Sequence, residues 1–163
     1  MLKRYYRSGE DFLFSNKKLF KCLCFTNGCF DLLHAGHVNY LEALRSIGDF
    51  LIVGLNSDAS VTRLKGSTRP IQDELSRATV LCGLRSVDAV IKFNEDTPLR
   101  LIKLLKPNIL AKGGDYSNDM IVGSDVVQKY GGKVVIIPFS IGHSTSNIIE
   151  CIKNNVNCLS NFS

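Results

Sequence analysis

The sequence predicts an α/β fold: a Rossmann-like, doubly wound parallel sheet of five strands with helices on both faces. Three observations carry this. Five short apolar runs recur at intervals and are nearly continuous rather than alternating, as in strands covered on both faces. Each run is followed by a stretch with helical spacing, and short connections of this kind imply right-handed crossovers between parallel strands. Boundary signals agree: Gly48, Gly131-Gly132 and Pro107 stand where helical segments should stop.

The strands are expected at Cys22–Thr26, Phe50–Leu55, Val87–Phe93, Asn108–Lys112 and Lys133–Phe139. The helices are expected at Gly36–Ile47, Ser57–Leu64, Leu75–Leu84, Pro98–Leu105, Asp119–Tyr130 and Ser144–Lys153. Gly48 follows the first helix and Gly131-Gly132 the fifth, as C-terminal stops, and Pro107 ends the helix before it. Residues 1–20 fall outside the pattern and read as an arm or a short extra helix, residues 21–154 as one domain, and residues 155–163 as a tail. A chain of 163 residues can bury roughly two thirds of its unfolded surface, enough for one core.

Composition narrows the function. No run of about 18 apolar residues spans a membrane, and the basic N-terminus is interrupted before any signal-type apolar core. A cytoplasmic protein is expected. The formal charge of +5 comes from scattered Lys and Arg, which favours an anionic ligand weakly and gives no nucleic-acid stripe. The six cysteines contain no C-x-x-C pair and read as small buried thiols, not as a zinc site.

In such sheets a ligand lies at the carboxyl ends of the strands, near the point where strand order reverses. After the first strand stands "TNGCFDLLHAGH", running into a helix. A helix start offers unpaired N–H groups and partial positive charge, and the glycines let a ligand approach the backbone. His34 and His37 add two imidazoles able to donate to phosphate oxygens. Neither a P-loop nor a G-x-G-x-x-G pattern is present, and a metal pair lacks a third ligand nearby. Asp31 reads as a cap for the following turn or an acceptor of backbone N–H groups, and "RLKGSTRP" as a polar loop. "AKGGDY" follows the fourth strand as a glycine turn, and Ser144 reads as a helix N-cap.

"GCFDLLHAGH" resembles the signature of the H-x-G-H nucleotidyltransferases, which join a nucleotide to a phosphorylated acceptor and release pyrophosphate. With "LKGSTRP" and "KGGDY", the chain from Phe25 to about Lys153 resembles one branch, the D-glycero-β-D-manno-heptose 1-phosphate adenylyltransferases. These make ADP-heptose for lipopolysaccharide and other surface glycans. In many relatives the domain is fused to a sugar kinase, and a chain of this kind standing alone is expected to lack kinase activity.

The resemblance implies ATP with Mg²⁺ and a sugar 1-phosphate as substrates, no nucleic-acid or membrane partner, and a homodimer as a possible assembly. It implies His34, His37 and Arg77 as catalytic residues. It places Asn27, Gly28, Cys29, Phe30, Gly36, Lys65, Ser144, Thr145 and Ser146 at the nucleotide, and Arg69, Lys112, Gly114 and Asp115 at the sugar phosphate. Cys29 takes a backbone role, standing where relatives carry Val or Thr. Ser146 replaces the second threonine of the relatives' S-T-T but keeps a hydroxyl. Phe139 stands where the cytidylyltransferases carry an arginine, which favours ATP over CTP. Leu32 replaces the proline of the phosphopantetheine adenylyltransferase pattern. A cytidylyltransferase acting on glycerol 3-phosphate or another acceptor, and a non-catalytic nucleotide-binding module, are the competing readings.

Overall fold

The computed structural model describes residues 4–16, 20–114, 121–138 and 145–155. Six strands lie parallel in one sheet: β1 (Tyr5–Tyr6), β2 (Leu23–Gly28), β3 (Phe50–Asn56), β4 (Ala89–Phe93), β5 (Ile109–Gly113) and β6 (Lys133–Ile137). The helices are α1 (Gly9–Ser15), α2 (Ala35–Ser46), α3 (Asp58–Lys65), α4 (Glu74–Gly83), α5 (Leu99–Leu105), α6 (Ser124–Lys129) and α7 (Thr145–Lys153). The sheet order is β1-β4-β3-β2-β5-β6. Strand β2 is flanked by β3 on one side and β5 on the other, so the order reverses between β2 and β5. That gap at the carboxyl ends is where a ligand crevice belongs.

The apolar runs are continuous because alternate residues feed two cores. Cys24, Leu51, Val53, Leu55, Val90, Ile109 and Ala111 face one layer with Tyr40, Leu41 and Leu44 of α2 and Ala78 and Leu81 of α4. Leu23, Phe25, Ile52, Ile91, Phe93 and Leu110 face the other, with Phe12 of α1, Leu101, Ile102 and Leu105 of α5, and Val127 of α6.

The expectation of five strands is corrected to six. Tyr5 and Tyr6 pair with Val90 and Ile91 of β4, and α1 follows with Phe12 only 1% exposed. Two residues inside "KRYYRSGEDF" are too few, and too polar in their surroundings, to register as a strand by periodicity. Helix α1 starts on Ser8, whose hydroxyl accepts from Asp11 N–H at 3.1 Å, an N-cap. Helix α6 begins at Ser124, later than the expected Asp119, behind Gly123 with φ of 87°. Its Cβ position lies 2.7 Å from Ile102 Cδ1, so a side chain there meets α5. Helix α5 ends at Leu105 with Lys106 left-handed, before Pro107. Cys22, Cys24, Cys29 and Cys82 are free thiols, whereas Cys151 is disulfide-bonded, a departure from the expectation of reduced cysteines. No helix among the described residues is long and apolar enough to cross a membrane.

Candidate nucleotide-transfer site

A cavity of about 420 Å³ opens at the carboxyl ends of β2, β3, β4 and β5. Its floor is the turn from Asn27 to Asp31. Lys65 and Arg69 line one side, Lys112 and the start of α7 the other, and Asp96, Thr97 and Pro98 close a third. His37 points in from α2.

The turn between β2 and α2 is held unusually tightly. Phe30 is buried and sits at φ 47°, the left-handed region that a non-glycine residue enters at a cost. Its ring packs against Gly28, where a Cβ would come within 3.1 Å of it, and lies 5.4 Å from the His37 ring. Asp31, 3% exposed, accepts from the backbone N–H groups of Ile71 and Gln72 at 2.9 Å and from Arg69 Nε at 2.7 Å. Burial alone pushes this carboxyl up, but the Gln72 and Ile71 N–H groups and the Arg69 guanidinium outweigh it and hold its pKa below the usual carboxylate value. Asp31 therefore staples the "STRP" loop to the signature turn instead of capping α2.

His34 is the N-cap of α2 in an extended conformation and supplies no side-chain cap bond. Gly36, in the first helical turn, is buried. The rings of His34 and His37 lie against each other with centroids 3.9 Å apart and planes tilted by 34°; His34 itself is not among the residues lining the cavity. His37 Nδ1 is buried with no hydrogen-bond partner among the described residues. Its burial and the neighbouring His34 lower its pKa to about 4, so it is neutral at physiological pH and carries one N–H.

Lys112 leaves β5 toward Asn27, with Nζ 3.4 Å from both its carbonyl and side-chain oxygens. Burial lowers the lysine pKa, with Lys65 adding to the effect. Thr145, first residue of α7, donates to Leu32 O at 3.0 Å and so ties the C-terminal helix to the signature turn. Ser146 also lines the cavity. Gly114 continues β5 with φ of 120° and donates its N–H to Ile137 O at 3.1 Å. Asp115, Ser144 and Phe139, each given a role from the sequence, lie outside the described residues.

Arg77, expected among the catalytic residues, is placed differently. It is 0% exposed and is not on the cavity wall. Its guanidinium donates to Cys29 O at 2.6 Å, to Gln72 O at 3.1 Å and to Asp58 Oδ1 at 2.7 Å. Each of the three guanidinium nitrogens makes a bond inside the protein, behind the turn rather than in front of it.

Sequence reasoning missed Asn56, Asp58, Asp96 and Thr97. Asn56, 3% exposed, lines the cavity from the end of β3 and donates to Ser60 Oγ at 3.0 Å. Asp58 accepts from Glu74 N–H at 3.1 Å as well as from Arg77. The signal available was position alone: all four follow strand ends.

The wall thus presents Lys65, Arg69, Lys112 and a helix start to one concave space, while its most buried carboxylate is already neutralised by Arg69. Such a lining, with Lys65 and Lys112 uncommitted to a carboxylate among the described residues, suits an anionic group. The doubly wound sheet, the switch-point cavity and the adjacent H-x-G-H imidazoles define a nucleotidyltransferase-type site. Residues 25–151 match the family described as cytidylyltransferase-like, and the chain belongs to that family. Among curated relatives, the bifunctional protein HldE of Geotalea uraniireducens is 59% identical over 133 residues, covering 82% of this chain and 27% of that protein. HldE of Trichlorobacter lovleyi is 62% identical over 126 residues, covering 77% and 26%. The chain therefore spans about a quarter of the length of these relatives. Among solved structures, the lipopolysaccharide core biosynthesis protein of Thermoplasma volcanium superposes with TM-score 0.58 at 31% identity, covering 73% of this chain and 96% of that one. Pantoate-β-alanine ligase of Francisella tularensis gives TM-score 0.63 at 17% identity over 88% and 69%, a likeness of fold alone.

Proposed function

We propose that the protein transfers AMP from MgATP to D-glycero-β-D-manno-heptose 1-phosphate, giving ADP-heptose and pyrophosphate. The observation that carries this is the His34–His37 pair at the start of α2, with ring centroids 3.9 Å apart, and His37 on the wall of a cavity also lined by Lys65, Arg69 and Lys112. The sugar assignment rests on the "LKGSTRP" and "KGGDY" blocks and is supported by the identity to the HldE proteins.

An ionised oxygen of the sugar phosphate attacks the α-phosphorus. A new P–O bond forms as the bond to the β-phosphate oxygen breaks, and the electron pair leaves with pyrophosphate. No covalent enzyme intermediate is needed, because the acceptor is already nucleophilic. The protein's contribution is positioning and charge stabilisation. His34 and His37 donate to the α-phosphate as charge builds there. Lys65, Arg69 and Lys112 hold the flanking phosphates. Gly28, Cys29 and Phe30 offer backbone, and Thr145 and Ser146 offer hydroxyls. Mg²⁺ arrives with the triphosphate and shares its charge.

Pyrophosphate release is the test, with ATP and CTP each offered against heptose 1-phosphate, glycerol 3-phosphate and phosphopantetheine. Turnover with ATP and the heptose phosphate alone is expected. Turnover confined to CTP, or to another acceptor, would keep the transfer chemistry and overturn the substrate. No pyrophosphate from any pair would overturn the enzyme reading in favour of a binding module.

A further inference from the structure

The buried Arg77 is the convergence point of three strand-end loops. Nη1 holds the Cys29 carbonyl of the turn after β2, Nε holds the Gln72 carbonyl at the end of the "STRP" loop, and Nη2 holds Asp58 just after β3. Asp58 is in turn fixed by the first N–H of α4, the helix that carries Arg77 itself. A second staple, Asp31 to Ile71 and Gln72, joins the same loops from the cavity side.

A trans peptide points its C=O and N–H in opposite directions. The Cys29 carbonyl is drawn back to Arg77, at 2.6 Å, so the N–H of Phe30 is turned away from the guanidinium. No described residue accepts a hydrogen bond from that N–H. Cys29 and Phe30 line the cavity and Arg77 does not. Phe30 is also left-handed and buried, a strained residue that persists only when its surroundings fix it.

We propose that Arg77, oriented by Asp58, is a positioning residue: it pins the Cys29–Phe30 peptide so that the Phe30 N–H faces the cavity as a preset donor to a nucleotide phosphate. The inference rests on the reading of the cavity as a triphosphate site. Preset donors cost no reorganisation when charge develops, which is why a residue behind the turn can govern the rate. Lysine at position 77 keeps the charge but cannot make three bonds in one plane. Asparagine at position 58 keeps the shape and loses the ion pair.

The experiment compares the wild-type protein with Arg77→Lys and Asp58→Asn by three readouts. These are thermal unfolding, kinetics with MgATP and heptose 1-phosphate, and the ¹H–¹⁵N shift of the Phe30 amide on adding MgATP or inorganic tripolyphosphate. In the wild type the Phe30 amide is expected to shift downfield with either anion. In folded Arg77→Lys that response is expected to vanish, with kcat/KM for ATP about 30- to 100-fold lower and the acceptor KM within about threefold. Asp58→Asn is expected to show the same pattern at about tenfold. A folded Arg77→Lys with wild-type kcat/KM and an intact Phe30 shift would overturn the proposal. If Arg77→Lys does not fold, Asp58→Asn decides: lowered thermal stability with unchanged kinetics would overturn it. If the wild type releases no pyrophosphate yet its Phe30 amide responds to tripolyphosphate, the reaction assignment falls and the role of Arg77 stands.

Discussion

The two walls of the cavity are built differently. On the β2–β3 side, the signature turn is tied by a fully buried arginine and a buried aspartate that together make bonds to Cys29, Gln72, Asp58, Ile71 and Arg69. On the β5–β6 side, Lys112 reaches Asn27 over 3.4 Å, Thr145 reaches Leu32, and α7 buries none of its described residues. No residue of β6 is fully buried, whereas those of β3 almost all are. In the proposed reaction the histidine pair works beside the deeply buried wall together with Lys65 and Arg69, and Lys112, Thr145 and Ser146 reach the substrate from the shallower one.

This comparison can be broken at several points. The largest effect is expected at the histidines. His34→Ala should lower kcat about 100-fold or more, as for a lost oxyanion-type donor, measured by pyrophosphate release at saturating substrates. Next is the staple: Asp31→Ala strands Arg69 and two backbone donors, and should cost about 3 kcal/mol in denaturant unfolding together with a loss of activity. Gly48→Ala should cost about 1–3 kcal/mol, because its Cβ would lie 2.3 Å from Cys24 Sγ and 2.8 Å from the Cys22 carbonyl. Thr145→Ala, on the shallower wall, should change thermal stability little and raise KM for ATP several-fold. An equal loss of stability at Thr145 and Asp31 would erase the distinction between the walls.

Acid gives a further test. The folded pKa of His37 is lowered to about 4, below its unfolded value near 6.5, so the unfolded chain binds more protons between these values. The stability from keeping His37 neutral is full above pH 6.5 and is lost as pH falls toward 4. Asp31, whose folded pKa is lowered, adds stability above its unfolded pKa that is lost as pH falls through the folded value. Denaturant melts at steps between pH 7 and 4 should show stability falling, and His37→Gln should flatten the slope between pH 6.5 and 4 without touching the steeper loss at lower pH. The smallest effect is expected at the exposed Arg63–Asp96 pair, 2.7 Å apart, where Arg63→Ala should shift stability by less than about 1 kcal/mol.

Much of the scaffold was legible. The strands after β1 and most helices fall within a residue or two of the runs that predicted them, because two-sided burial forces continuous apolar stretches and each helix has a cap or stop. The H-x-G-H pair was legible as a spacing, and the cavity gathers His37 of that pair with Lys65, Arg69 and Lys112. The N-terminal strand was not, since a two-residue pairing leaves no period to detect. Arg77 was legible as a candidate from the resemblance, but its burial away from the cavity wall was not. What decides that role is a carbonyl 48 residues away, and no local pattern encodes the direction of a guanidinium. Asp31 had the same ambiguity: a cap and a staple use one carboxylate, and only the fold brings Ile71 and Gln72 to it.

The central claim is that the histidine pair acts on the transition state rather than on binding. The direct measurement is kcat beside the MgATP dissociation constant for His37→Ala, with thermal unfolding as a check on folding. The account predicts a folded variant whose kcat falls about 100-fold while its dissociation constant stays within about fivefold. A variant that turns over at near wild-type rate, or that loses ATP binding as steeply as it loses kcat, would contradict it.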